Sequence, residues 1–344
     1  MKIHRVFLFP YFRNNSYKQI AVEKKDFRIV FMGTPDFAVS SLKAILEANY
    51  QLVGVITAPD KPAGRGKKLS PPAVKKFALA QGLNVLQPPR LKNPEFLKEL
   101  KALKADLQVV VAFRMLPEQV WAMPHFGTIN LHASLLPQYR GAAPIHHAII
   151  NGEKQTGLTT FLLQKEIDTG NILLQKKLDI GPNETVGELH DRMMALGGEL
   201  LVETIERLRK GEIAPVDQQK LVKPGTLLKP APKIFKENCH IQWNNDVHSV
   251  HNFIRGLSPY PGAFSILKSP SGDEFIVKIF KASMEFSSEQ LLPGTIITDG
   301  KTFLKVAVVD GFIYIYDLQK SGKKRLRADE FLRGLTINEN WHFA

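Results

Sequence analysis

The 344-residue chain has a single cysteine, Cys239. One thiol excludes an internal disulfide and any cysteine-based zinc site. No run of 18 apolar residues occurs, so no segment reads as a membrane-spanning helix. Gly33 stands alone after the first strand-like run, with no G-x-G-x-x-G around it, and no Walker A loop occurs anywhere. Neither a dinucleotide cofactor nor ATP is therefore expected. Acidic residues are few: 33 against 46 lysines and arginines, a net charge of +13. Such an excess points to an anionic partner, without separating nucleic acid from a membrane surface or a phosphorylated substrate. What is abundant is ordinary: 44% of residues are hydrophobic, enough for a normal core. At roughly 150 residues per domain, the length suggests two domains.

Residues 1–26 read as an extension. Its apolar piece, VFLFPYF, is short and broken by Pro10, a poor secretory segment. Arg5 and Arg13 with few acids faintly suggest a transit peptide, but serine is scarce. The plain reading is a flexible tail or a start codon placed too far upstream.

From Phe27 onward, strand-like and helix-like runs alternate. Strands are expected at 27–32, 52–56, 84–86, 107–113, 127–131 and 157–163. Helices are expected at 40–48, 72–81, 94–103, 117–122, 144–151 and 185–210. Residues 107–113 are almost all apolar, as in a central parallel strand buried on both faces. This alternation predicts an α/β domain over 27–212 with an open, mostly parallel, Rossmann-like sheet. Residues 213–234, with Pro215, Pro224, Gly225, Pro230 and Pro232, read as an extended linker. In 235–344 one helix candidate, 245–256, precedes short strands at 264–267, 275–280, 294–298, 303–309 and 312–316. That pattern predicts a small OB-like β-barrel.

The sharpest chemical signal is Thr128-Ile129-Asn130-Leu131-His132-Ala133-Ser134-Leu135-Leu136-Pro137, continuing to Arg140-Gly141-Ala142-Ala143-Pro144. Asn130 and His132 end a strand, and alternation points both to one face. A carboxamide can donate to a developing oxyanion, and an imidazole can give or take a proton near neutrality, which suits acyl transfer. Alone, the pair reads more readily as two groups capping a turn. In Glu166-Ile167-Asp168-Thr169-Gly170 a carboxylate follows the next strand, where it can reach the imidazole or hold a water; Asp before Thr-Gly is also an ordinary turn.

Together, NLHASLLPQYRGAAP and EIDTG resemble the signature of the folate-dependent formyltransferases. The opening RIVFMGTPDFAV and the loop APDKPAGRGKKLSPPAVK look like the methionyl-tRNA formyltransferase family within that superfamily. The resemblance runs from about Arg28 to the end of the chain, densest in 28–75 and 107–170. It implies 10-formyltetrahydrofolate as formyl donor, with no metal or nucleotide. It implies the free α-amine of methionine on initiator tRNA as acceptor, so the nucleophile belongs to the substrate and no G-x-S-x-G elbow is needed. Asn130 and His132 would hold the formyl oxygen, and Asp168 would orient the imidazole or a water. Ser134, Leu135, Leu136 and Pro137 match the folate-binding run, with Phe113, Met115 and Leu116 as apolar walls. One position departs from the family pattern: Arg114 stands where a glycine is expected. The resemblance also implies a bacterial cytoplasmic enzyme acting as a monomer.

Two basic segments suit a polynucleotide. Residues 58–76 hold Lys61, Arg65, Lys67, Lys68, Lys75 and Lys76 against Asp60 alone, with Gly64 and Gly66 flanking Arg65. By composition this is a solvated loop; by the resemblance it wedges into the acceptor stem through Arg65, Lys67 and Lys68. Lys320, Lys323, Lys324, Arg325 and Arg327 place a basic hairpin on the barrel, and Lys323, Lys324 and Arg325 are its candidate tRNA contacts. Tyr260 and Phe264 could stack on bases, although core packing is the ordinary role of such rings. His248 and His251 lie at i,i+3 without the carboxylate and cysteine set of a metal site. His146 and His147 are adjacent, so at most one can line the site.

Other readings of the same residues are a small-amine formyltransferase, a hydrolase releasing formate, and an RNA-binding module on an inactive scaffold. The basic loop and basic second domain argue against the first, and the intact Asn130, His132 and Asp168 against the last.

Overall fold

The computed structural model describes residues 23–63, 68–338 and 340–344. Residues 1–22 of the expected extension lie outside these. Residues 24–26 form one 3-10 turn, and the Lys24 ammonium sits 4.7 Å over the Tyr50 ring.

The first domain contains β1 (Arg28–Gly33), α1 (Asp36–Glu47), β2 (Gln51–Ile56), the small hairpin β3 (Lys61–Ala63) and β4 (Lys68–Ser70), α2 (Ala73–Ala80) and β5 (Val85–Leu86). It continues with α3 (Pro94–Ala102), β6 (Leu107–Val111), α4 (Glu118–Trp121), β7 (Thr128–His132), α5 (Pro144–Ile150), β8 (Gln155–Leu162), β9 (Ile172–Asp179) and α6 (Val186–Lys210). The seven-stranded sheet has the order β5-β2-β1-β6-β7-β8-β9. Its first five strands pair in parallel, whereas β8 runs antiparallel to β7 and β9 antiparallel to β8. The parallel sheet expected from the sequence therefore ends in an antiparallel hairpin. The edge strand β9 exposes Lys177 and half-buries Lys176, charges that block further pairing and break apolar alternation.

Alternation along the central strands builds two cores. Ile29, Phe31, Val109, Val111, Ile129 and Leu131 face α1 and α6. Val30, Met32 and Val110 face Phe96 and Leu100 of α3 and Val120 and Trp121 of α4. The long α6 starts at a Thr185–Glu188 capping box and stops at Gly211, whose φ of 70° suits a residue without Cβ.

The second domain comprises α7 (Val247–Gly256), β10 (Ala263–Lys268), β11 (Glu274–Phe286), β12 (Ile296–Thr298), β13 (Leu304–Val308), β14 (Gly311–Lys320), β15 (Leu326–Arg327), α8 (Ala328–Gly334) and β16 (His342–Phe343). The strands form an antiparallel, nearly closed barrel, β12-β13-β14-β11-β10-β16, with β15 on β14. Val247, Val250 and Ile254 bury one stripe of α7 against Val277, Ile279, Ile313 and Ile315. His251 of this helix is buried and donates Nε2–H to the Ala282 carbonyl at 3.2 Å.

The domains meet along α5 and α7. His146 donates Nδ1–H to Gly256 O at 2.8 Å. A Cβ at Gly256 would lie 2.7 Å from Ile150 Cγ1, so the helices touch where only glycine fits. Buried Arg255 bonds the carbonyls of Gly181 and Glu184, at 3.3 and 2.9 Å, ahead of α6.

Candidate active site

The sheet changes direction between β1 and β6: the chain builds outward on one side of β1, then crosses to the other. Ligands of open α/β sheets bind beyond the carboxyl ends of strands near such a point. β7 ends there with Asn130 and His132. Ile129 and Leu131 are buried in the core, which leaves Asn130 and His132 on the opposite face. Asn130 is half-buried, and its carboxamide has no hydrogen-bond partner among the described residues. His132 is 7% exposed, with its ring edge-on to Phe161 at 6.4 Å.

The imidazole has a defined tautomer. Nε2 lies 2.9 Å from the Tyr139 carbonyl, which can only accept, so Nε2 carries hydrogen. In the neutral ring Nδ1 then offers a lone pair, and it lies 3.8 Å from Asp168 Oδ2. That spacing is too long for a direct hydrogen bond. The same Oδ2 accepts from Gly141 N at 2.9 Å.

Backbone strain is concentrated around these groups. Ala112 after β6, Tyr139 after β7 and Asp168 after β8 have φ of 46°, 60° and 54°. Non-glycine residues in this region cost about 1–3 kcal/mol each and persist where surrounding contacts hold them. Two glycines supply close approach. Gly141, at φ 126°, abuts the Ala231 carbonyl, and Gly170 packs on the Leu162 carbonyl; a Cβ on either would overlap that oxygen.

The expected folate residues surround this edge unevenly. Met115 is 72% exposed and Phe113 is partly buried, whereas Leu116 packs in the core with Val110 and Trp121. Leu136 is buried against Phe161 and Ile172. Ser134 donates to Gln138 O at 2.7 Å, and Thr159 Oγ1 donates to Ser134 O at 2.6 Å. The Leu136 amide donates to the same Thr159 hydroxyl at 3.2 Å. Leu136–Pro137 is a cis peptide. Arg114 is held by main-chain carbonyls: Nη1 donates to Pro89 O at 2.9 Å, Nη2 to Pro88 O, and its guanidinium stands 5.4 Å from the Phe113 ring.

Sequence reading missed a further layer. Tyr139 OH donates to Glu153 at 2.6 Å, and Lys229 Nζ bonds the same oxygen at 2.7 Å. Burial, then the Glu153 carboxylate, hold the Tyr139 phenol well above its ordinary range. Tyr139 N donates to Lys229 O at 2.7 Å, and Ala143 N to Ala231 O at 3.2 Å, so residues 229–231 of the segment read as a linker line the site loop. The bonds made by Lys229 and Ala231 join residues 76 to 90 apart, and no local period carries them.

Of the candidate nucleic-acid contacts, Arg65 and Lys67 lie outside the described residues. Lys68 opens β4. Lys75 is committed to Asp60 at 2.8 Å, and Asp60 is held below the usual carboxylate range by Gln87 and Lys75. Lys323 and Lys324 are exposed in the β14–β15 turn. Arg325 pairs with Asp317 at 2.7 Å and covers the Phe280 ring at 4.6 Å. Tyr260, for which core packing was the ordinary expectation, is 79% exposed, while Phe264 packs against the barrel core. His147 donates to Pro232 O at 2.9 Å, so both members of the adjacent His pair bond main-chain carbonyls away from His132.

Comparison with known proteins places this geometry in context. The family model "Formyl transferase" matches residues 27–205, and "Formyl transferase, C-terminal domain" matches residues 233–336. The chain is 53% identical over 320 residues to methionyl-tRNA formyltransferase of Bacteroides thetaiotaomicron, covering 93% of this chain and 99% of that one. It is 49% identical over 312 residues to methionyl-tRNA formyltransferase of Flavobacterium johnsoniae, covering 91% and 97%. Among solved structures, WlaRD, a sugar 3N-formyl transferase, aligns with TM-score 0.59 and 21% identity over 87% of this chain and 99% of that chain. HypX of Aquifex aeolicus, in complex with tetrahydrofolic acid, aligns with TM-score 0.58 and 19% identity. The chain spans about half the length of that protein, 46%, so the likeness concerns the fold.

Proposed function

The chain belongs to the formyl transferase family, and on that premise we propose that it transfers the formyl group of 10-formyltetrahydrofolate to the free α-amine of methionyl initiator tRNA. The observation that carries this reading is the His132–Asp168 pair with the Asn130 carboxamide two residues away on the same strand, in a chain that matches methionyl-tRNA formyltransferases over nine-tenths of its length.

The chemistry follows from the tautomer. The methionine amine adds its lone pair to the formyl carbon, and the formyl oxygen becomes an oxyanion. The Asn130 amide donates to that oxygen. His132 Nδ1 takes the proton released by the attacking nitrogen, becoming a second donor to the oxyanion, and the Asp168 carboxylate stabilises the imidazolium. Collapse breaks the bond to N10 of the folate, and the proton passes from Nδ1 to that leaving nitrogen. The enzyme supplies position and charge; the substrate supplies the nucleophile.

Phe113 and Met115 would give the folate ring accessible apolar surface, with Leu116 and Leu136 backing it and the main chain of Ser134, Leu135 and Pro137 at its edge. Arg65, Lys67 and Lys68 would grip the acceptor stem, and Lys323, Lys324 and Arg325 the body of the tRNA. In this reading 27–212 is the catalytic domain, 213–234 the connection and 235–344 the tRNA-binding barrel, in a monomer of the bacterial cytoplasm that needs no metal.

Purified protein incubated with 10-formyltetrahydrofolate and methionine-charged initiator tRNA tests the assignment. Formylmethionyl-tRNA is the expected product. Release of formate without it, or formylation of an amino-sugar nucleotide in its place, overturns the reading.

A further inference from the structure

Gln218 lies in the proline-rich stretch between the domains, where the sequence shows no reason for a functional group. It is 1% exposed. The stretch is pinned to the first domain by a reciprocal pair of main-chain bonds, Ile172 N to Val216 O and Val216 N to Ile172 O, each 2.8 Å. This delivers the Gln218 side chain under the site.

There its carboxamide is fully used. Oε1 accepts from Arg140 Nε at 3.1 Å and Nη2 at 2.7 Å. Nε2 donates to Asp168 O at 2.9 Å and Gly170 O at 2.7 Å. A guanidinium only donates and a carbonyl only accepts, so the amide has one possible orientation. Arg140 belongs to the loop after β7, next to Gly141, whose amide holds Asp168 Oδ2. Gln218 thus closes a ring from Arg140 and Gly141, through the Asp168 carboxylate and its main chain, and back through its own amide. Asp168 sits within that ring at φ 54°, a conformation that needs external support.

We propose that Gln218 is a positioning residue for formyl transfer: it fixes the Asp168–Gly170 segment against the Arg140 loop and so sets the Asp168 carboxylate relative to His132. The proposal rests on the formyl-transfer reading above for its kinetic consequence, and on geometry alone for its structural one. A buried, four-bonded amide reaching in from between the domains also makes the catalytic constellation depend on that segment's path. An error of about 1 Å in such a group is worth on the order of 10²-fold in rate.

Two full-length variants separate the elements. Gln218→Leu removes every bond at similar volume. Gln218→Glu keeps the acceptor for Arg140 and removes only the donors to Asp168 O and Gly170 O, so it remains informative if the leucine variant folds poorly. In both, the Gly141 amide should exchange with solvent about tenfold faster, because its Asp168 acceptor is no longer held. In both, kcat should fall about 10²-fold, with KM for tRNA and folate within about twofold. In an Asp168→Ala background the same substitutions should cost less than about twofold, because their effect passes through Asp168. Unchanged Gly141 exchange in both variants overturns the proposal. So does unchanged kcat in an active enzyme, or an equal loss with and without Asp168. If the unsubstituted protein forms no formylmethionyl-tRNA, the functional reading falls and the exchange measurement alone decides the role of Gln218.

Discussion

The Tyr139 carbonyl accepts the Nε2 proton of His132 at 2.9 Å, which turns Nδ1 toward Asp168. Tyr139 holds this place through a left-handed backbone, a buried phenol on Glu153 and a main-chain bond to Lys229. The tautomer of the central imidazole is therefore decided by a main-chain carbonyl and by the groups that hold it in place.

Asn130→Ala and His132→Ala should each lower kcat by about 10²–10³-fold, the range for removing an oxyanion donor. Their proposed contacts strengthen in the transition state, so tRNA affinity in a filter-binding assay should stay within about twofold. A loss of affinity matching the loss of kcat would contradict these roles.

Gly170→Ala should damage the site without touching a reacting group. Its Cβ would overlap the Leu162 carbonyl, so the Asp168 loop must move outward. The expected result is a drop in kcat of about 10²-fold with both KM values little changed, measured under steady-state conditions.

Replacing Arg65, Lys67 and Lys68 together by glutamine should weaken tRNA binding and reduce the slope of log affinity against log salt by about 2 to 3. Replacing Lys323 and Lys324 should lower it by less than 2, since only two cations are lost. Equal slopes before and after either change would remove these residues from the interface.

His251 sets a pH limit on the barrel. Burial, and then the Arg255 charge, lower its pKa from 6.5 to about 4, with His248 a smaller influence. The unfolded chain therefore binds a proton near pH 6.5 that the folded chain refuses until about pH 4. Stability from this group is full above pH 6.5 and is lost as pH falls through that window, on the order of 3 kcal/mol by pH 4. Urea unfolding of the wild type and His251→Gln at pH 4, 5 and 7 should show the variant losing less stability on acidification. Parallel curves would refute this role.

Legibility differed by element. The central strands and α6 stand out because buried strands make continuous apolar runs and α6 carries its own caps. Asn130 and His132 are legible for a related reason: strand alternation sets them on one face. β9 is hidden because edge lysines interrupt its pattern, and α8 because seven residues give no helical period. Tyr139, Lys229 and Gln218 are hidden for a deeper reason. Much of their role comes from bonds to or from main-chain carbonyls, several of them dozens of residues away, and every residue type has the same carbonyl. Nothing in a side-chain pattern marks which one is used.

The seam between α5 and α7 carries one more consequence. With Gly256 pressed on Ile150, and Arg255 anchored on the turn ahead of α6, the barrel is seated on the first domain along that line. That seam therefore sets the span from the barrel's outer surface to His132. In the proposed reading, a tRNA held on the barrel must bring the amine of its aminoacyl end to that depth by its own length and bend, so reach becomes a measured property of the substrate.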